Sequence, residues 1–206
     1  MIVLVHGLGV SHRYFARLRR LLPAAAAPDL AGGTVDVLTW SLEAALAEPS
    51  LLVANSLGCQ VAAELAVRRP GLVRGLVLIG PTWDPGAPTV FRQFLRLANG
   101  SYREPLSLLP VLAYEYARWG PRRLLRTARS MLDHPVADRL ACVRVPAVVV
   151  RGEHDTICSP PWARLAAGVA RARLVQVPGA AHAVHWSHPE AVVQVVEELL
   201  QELAEA

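Results

Sequence analysis

The chain has 206 residues, 53% hydrophobic and 18% charged, which is enough apolar material for one domain with a sizeable core and too much for a disordered chain. Its formal charge is +4, and all 21 basic residues are arginine. The densest groups, Arg19-Arg20 and Arg122, Arg123, Arg126 and Arg129, fall in helical patterns and read as solvated faces, so no nucleic-acid partner is expected.

In chain order, "IVLVHG" reads as a buried strand ending in a glycine turn, and "SHRYFARLRRLL" as a helix that stops at Pro23. "AAAAPDLAGG" is expected to give a short strand and a glycine loop. "TVDVLTWSLEAALA" fits two periods, and the longer one predicts a helix capped by Thr34. "SLLVANS" is a strand, "LGCQVAAELAVRR" a helix and "GLVLIG" a strand. Residues 84 to about 140 hold no strand-like run and read as three helices broken at Gly100, Pro105 and Gly120-Pro121. "PAVVVRG", "PPWARLAAGVA" and "ARLVQVPG" continue as strand, helix and strand. "PEAVVQVVEELLQELA" closes the chain as a helix with Pro189 near its start.

The strands alternate with helices and are continuously apolar. That pattern predicts an α/β fold, a mostly parallel sheet with helices on both faces. Sites in such sheets form beyond the carboxyl ends of the strands. The polar groups expected there are His6-Gly7, Asn55-Ser56, Thr82-Trp83-Asp84, Glu153-His154-Asp155 and His182. A serine hydroxyl attacks a carbonyl only when a base takes its proton, and the base needs a third group to fix its tautomer. Ser56, Asp155 and His182 stand in that order, each just past a predicted strand.

On these residues the sequence resembles the α/β-hydrolase superfamily, over nearly the whole chain. Ala54-Asn55-Ser56-Leu57-Gly58 is similar to its G-x-S-x-G elbow, "HGLG" to its oxyanion loop and "APDLAGG" to its P-D-L-x-G loop. "RGEHDTICSP" resembles its acid loop and "GAAHAVHWSHPEAV" its histidine loop. In the family the catalytic histidine lies seven residues before a proline, which selects His182, seven before Pro189, over His185 and His188. Two features depart from the pattern. Ala54 replaces the first elbow glycine, and Cys59, expected to be a packing group, stands where many members have another glycine. The chain also begins at what would be the family's third strand, so a sheet of about six strands is expected. The remaining rival acids for the triad are Asp84 and Glu153.

The resemblance implies a single hydrolase domain over residues 1–206, with residues 84–140 inserted as a helical cap. It implies Ser56 as nucleophile, His182 as base and Asp155 as the orienting acid, with the backbone N–H groups of Leu8 and Leu57 as the oxyanion hole. His6 is expected to brace the oxyanion loop, while His12, His134 and His154 read as surface or structural groups. The expected substrate is a small, largely apolar ester or thioester under the cap, touched by Trp83 and Trp119. Acyl transfer, perhydrolysis, carbon–carbon cleavage and a non-catalytic receptor are the alternatives on the same fold. No metal-ligand spacing and no nucleotide-binding glycine motif occurs, so no cofactor is expected. Cys59, Cys142 and Cys158 show no disulfide spacing, the opening "MIVLVHGLG" lacks a basic flank, and no apolar run reaches the length of a membrane span. A cytoplasmic protein with no membrane contact is therefore expected.

Overall fold

In the computed structural model, residues 1–30, 32–87 and 89–205 are described, without the side chains of Phe94, Leu97 and Ser101. Two of the expected cap residues, Phe94 and Leu97, thus lie outside the described side chains. Five parallel strands, β1 (Ile2–Val5), β2 (Ser50–Asn55), β3 (Val73–Ile79), β4 (Ala147–Gly152) and β5 (Arg173–Val177), lie side by side in chain order. The strand expected within "AAAAPDLAGG" is reduced to a single parallel bridge between Ala26 and Val3. Alanines give little side-chain packing to hold a strand, and Pro28 has no N–H to extend the ladder.

The alternation of side chains along the strands divides the core into two layers. Val3, Val5, Leu52, Ala54, Leu76, Leu78 and Val149 point to one face. They meet α2 (Val35–Ala45), α3 (Leu57–Arg68), α7 (Val136–Cys142) and α8 (Pro160–Val169). Leu4, Leu51, Val53, Val77, Ile79, Val148 and Val150 point to the other face, against α1 (Ala16–Leu21) and α10 (Pro189–Glu205). The ambiguous segment before β2 is the helix α2, and Thr34 Oγ1 caps it by accepting from the Val37 N–H at 3.3 Å.

Between β3 and β4 the described residues form four α-helices, not three helices: α4 (Val90–Ser101), α5 (Leu109–Trp119), α6 (Pro121–Asp133) and α7, with a short 3-10 turn at Leu106–Leu108 before α5. His134-Pro135 separates the last two. Val136 and Leu140 of α7, with Met131 of α6, are buried in the layer of α3 and α8. Among the described residues no helix is long and apolar enough to cross a membrane.

Strand register positions the site. Val5 pairs with Ala54, Asn55 with Ile79, Ile79 with Val150, and Gly152 with Val177. The residues that follow these ends therefore emerge along one edge of the sheet: His6, Ser56, Gly80 and the loop from Glu153.

Candidate active site

Ser56 sits between the end of β2 and the first residue of α3 with φ 58° and ψ −121°, a left-handed conformation for a residue that carries a side chain. Its side chain caps no helix amide. Such a tight turn brings strand and helix close together. A Cβ on Gly58 would lie 2.3 Å from the Val5 carbonyl oxygen, so this glycine is obligatory. Ala54 is fully buried within the ladder, and its methyl is accommodated in the core. Asn55, also buried, donates through Nδ2 to the carbonyls of Ile79 at 3.2 Å and His182 at 3.4 Å, tying the turn to the loop that carries His182. Sequence reasoning gave Asn55 no such role.

Asp155 and His182, 27 residues apart, meet beneath this turn. Asp155 Oδ2 is 2.8 Å from His182 Nδ1. A carboxylate only accepts, so Nδ1 carries the proton and Nε2 keeps its lone pair. Nε2 is buried without a hydrogen-bond partner among the described residues. Burial opposes the charged imidazole, but the Asp155 carboxylate outweighs it, with Glu104 adding to the effect. The His182 pKa therefore lies above its ordinary value. Asp155 Oδ1 accepts from the N–H groups of Ile157 and Cys158, each at 2.9 Å. Arg151, only 4% exposed, is ringed by acceptors of the same loop. It donates to the carbonyls of Cys158 at 2.8 Å, Asp155 at 2.9 Å and Glu153 at 3.2 Å.

The rival acids point elsewhere. Asp84 pairs with Arg96 and accepts from the Gly86 N–H at 2.7 Å. Burial would raise its pKa, yet Ser159, Arg96 and the Gly86 amide together hold it below the ordinary carboxylate value. Glu153 is half exposed and accepts from the Gly179 N–H at 2.8 Å. His185 lies wholly buried with its ring 4.4 Å from that of Tyr14 and 4.7 Å from that of Phe15, and burial pushes its pKa down to about 3. His6 accepts from the Leu30 N–H through Nε2 at 3.0 Å, and its Nδ1 lies 3.0 Å from the Gly7 carbonyl. It thus ties the loop after β1 to the segment before α2. His12 pairs with Asp29, and His134 with Glu64, each at 2.9 Å.

A cavity of about 430 Å³ lies between this edge of the sheet and helices α4–α6, and Ser56, His182, Leu8 and Trp83 all line it. Its walls are mostly apolar, with Val90, Leu112, Tyr116, Leu124 and Ala128 coming from the covering helices. Trp119 does not line it. Its indole is buried beneath the Arg123 guanidinium, 4.1 Å from the ring centre, which corrects its expected place beside the substrate. Cys59 is fully buried, and burial pushes its thiol pKa well up, as suits a packing group.

A parallel sheet with a strained strand-to-helix serine turn and a buried histidine–aspartate pair at its carboxyl edge defines an α/β-hydrolase type of site. The alpha/beta hydrolase family profile matches residues 2–195, and the chain belongs to that family. It is 29% identical over a 248-residue alignment to the biotin biosynthesis bifunctional protein BioHC of Cellvibrio japonicus, covering all of this chain but 48% of that protein. The chain thus spans about half the length of this curated relative. Among solved structures it is similar to a thermophilic esterase from Thermogutta terrifontis, with TM-score 0.81 and 20% identity over 98% of this chain and 89% of that one. It is also similar to MenH from S. aureus, with TM-score 0.78 and 16% identity over 98% and 94% of the two chains. At these identities the likenesses establish the fold.

Proposed function

We propose that the protein hydrolyses a carboxylic ester or thioester of a small, largely apolar substrate through an acyl-enzyme on Ser56. The observation that carries this reading is the Asp155–His182 hydrogen bond, which leaves Nε2 unpaired at a cavity that Ser56 also lines. Ser56 Oγ attacks the carbonyl carbon as its proton passes to His182 Nε2. The imidazolium then protonates the leaving alcohol or thiol as the carbon–oxygen or carbon–sulfur bond breaks. A water molecule, deprotonated by the same nitrogen, attacks the acyl-enzyme and releases the acid and Ser56. Asp155 holds the imidazole in the tautomer that keeps Nε2 free.

The tetrahedral oxyanion is assigned to the N–H groups of Leu57 and Leu8. Leu57 opens α3, and a first-turn amide has no intrahelical acceptor. Helices α4–α6 serve as the cap, with Trp83 at the substrate. The mostly apolar walls support an apolar acyl or alkyl part. The three cysteines are free, two of them buried, which suits a reducing cytoplasm.

Two measurements test this. A fluorophosphonate probe should label Ser56 and no other residue, and p-nitrophenyl esters of graded chain length should turn over with a chain-length optimum. Labelling that survives Ser56→Ala, or no turnover of any ester, would sink it.

A further inference from the structure

Besides Asn55 Oδ1 in the serine turn, the proposed chemistry leaves three polar atoms at the cavity without a task. Gln93 Oε1, Glu104 Oε2 and Thr82 Oγ1 are buried, belong to cavity-lining residues, and have no hydrogen-bond partner among the described residues. Their other atoms are fixed. Gln93, 6% exposed, donates through Nε2 to the carbonyls of Asp84 and Ala87, both at 3.3 Å, which turns Oε1 away from those carbonyls. Glu104 accepts from the Ala183 N–H through Oε1 at 3.0 Å, leaving Oε2 over. A buried acceptor without a donor costs more than an apolar atom in its place. In a cavity otherwise walled by Val90, Leu112, Tyr116 and Leu124, a purely hydrocarbon substrate would seal these acceptors off unpaired.

We propose that the cavity selects esters or thioesters whose chain carries a neutral hydrogen-bond donor, a hydroxyl or an amide N–H, received by one of the unpaired acceptors, Gln93 Oε1 or Glu104 Oε2. This rests on the ester-hydrolase reading and names its substrate class. An ammonium group would have to shed its hydration among mostly apolar walls, a cost that a hydroxyl or an amide largely escapes.

The test uses p-nitrophenyl esters of four- to eight-carbon acids, each with a methyl, hydroxyl, acetamido or ammonium terminus. At the best length, kcat/KM for the hydroxyl or acetamido ester should exceed that of the methyl ester at least about tenfold, the worth of one hydrogen bond to a charged or buried group. Gln93→Met or Glu104→Leu, whichever removes the acceptor in use, should shrink that ratio. Glu104→Gln, which keeps an acceptor for the Ala183 amide, separates loss of selection from loss of folding. Where Glu104 is the receiver, it should shrink the ratio while Ser56 is still labelled by the probe. A ratio near one at every length, a ratio unmoved by all three variants, or a preference for the ammonium terminus overturns the inference and leaves ester hydrolysis standing. No turnover of any ester, with no labelling of Ser56, removes both.

Discussion

Replacing Asp155 by asparagine tests the site more sharply than deleting the residue, because the structure dictates how the amide must orient. Asp155 Oδ1 already accepts from two N–H groups, Ile157 and Cys158 at 2.9 Å each. An NH₂ cannot occupy that place without facing two donors. The asparagine oxygen is therefore held there, and its nitrogen takes the Oδ2 position, 2.8 Å from His182 Nδ1. It donates where the carboxylate accepted. His182 must then accept at Nδ1 and carry its proton on Nε2, the nitrogen that has to receive the Ser56 proton. The wrong tautomer of a serine triad lowers kcat by about 10⁴, equivalent to roughly 5 kcal/mol of lost transition-state stabilisation. Steady-state kinetics on the best p-nitrophenyl ester measures it, with thermal melting as the control for folding. A loss of under about tenfold would refute the argument. So would a comparable loss from Asp84→Asn, since Asp84 is engaged with Arg96.

The pH profile has a defined sign. Catalysis needs neutral His182, whose pKa the Asp155 carboxylate raises above 6.5, so the acid limb of kcat/KM should have its midpoint above that value. Glu104→Gln should move the midpoint down, because the Glu104 charge adds to the rise. Trp83→Ala should shift the preferred chain length upward, each further methylene gaining at most about 0.8 kcal/mol. Trp119→Ala should leave the profile unchanged, because Trp119 is absent from the cavity wall. An equal shift in both variants would place the pocket elsewhere. In the folded protein iodoacetamide should modify exposed Cys142 and spare buried Cys59 and Cys158, as peptide mapping by mass spectrometry will read.

The sheet, its helices and the Ser56–Asp155–His182 constellation were legible because each leaves a local trace: an apolar run, a capping residue or a polar group just past a strand. The seven-residue spacing to Pro189 separated His182 from His185, which lies against Tyr14 and Phe15. What escaped depends on contacts between distant segments. Glu104 meets Ala183 across 79 positions, and nothing near it in sequence marks it as a cavity residue. Trp119 has the pattern of a pocket aromatic, and only the neighbouring turn of α6, with Arg123, decides otherwise. Arg151 did leave a signal. It is the one charge in the otherwise apolar run "PAVVVRG", and a cation there needs acceptors, which the acid loop supplies.

Gly80 bears on how loss-of-function maps of this protein should be understood. It follows β3 at φ +54°, and a Cβ there would stand 2.8 Å from His182 Nδ1 and 2.9 Å from Asp155 Oδ2. Saturation mutagenesis read out by activity alone would therefore score Gly80, like Gly58 in the serine turn, as intolerant as Ser56, although neither glycine has a group that can react. Clustering of dead positions in such a scan would outline the backbone mould around the three side chains proposed to react. Only a paired measurement of soluble abundance would separate the mould from the chemistry it holds.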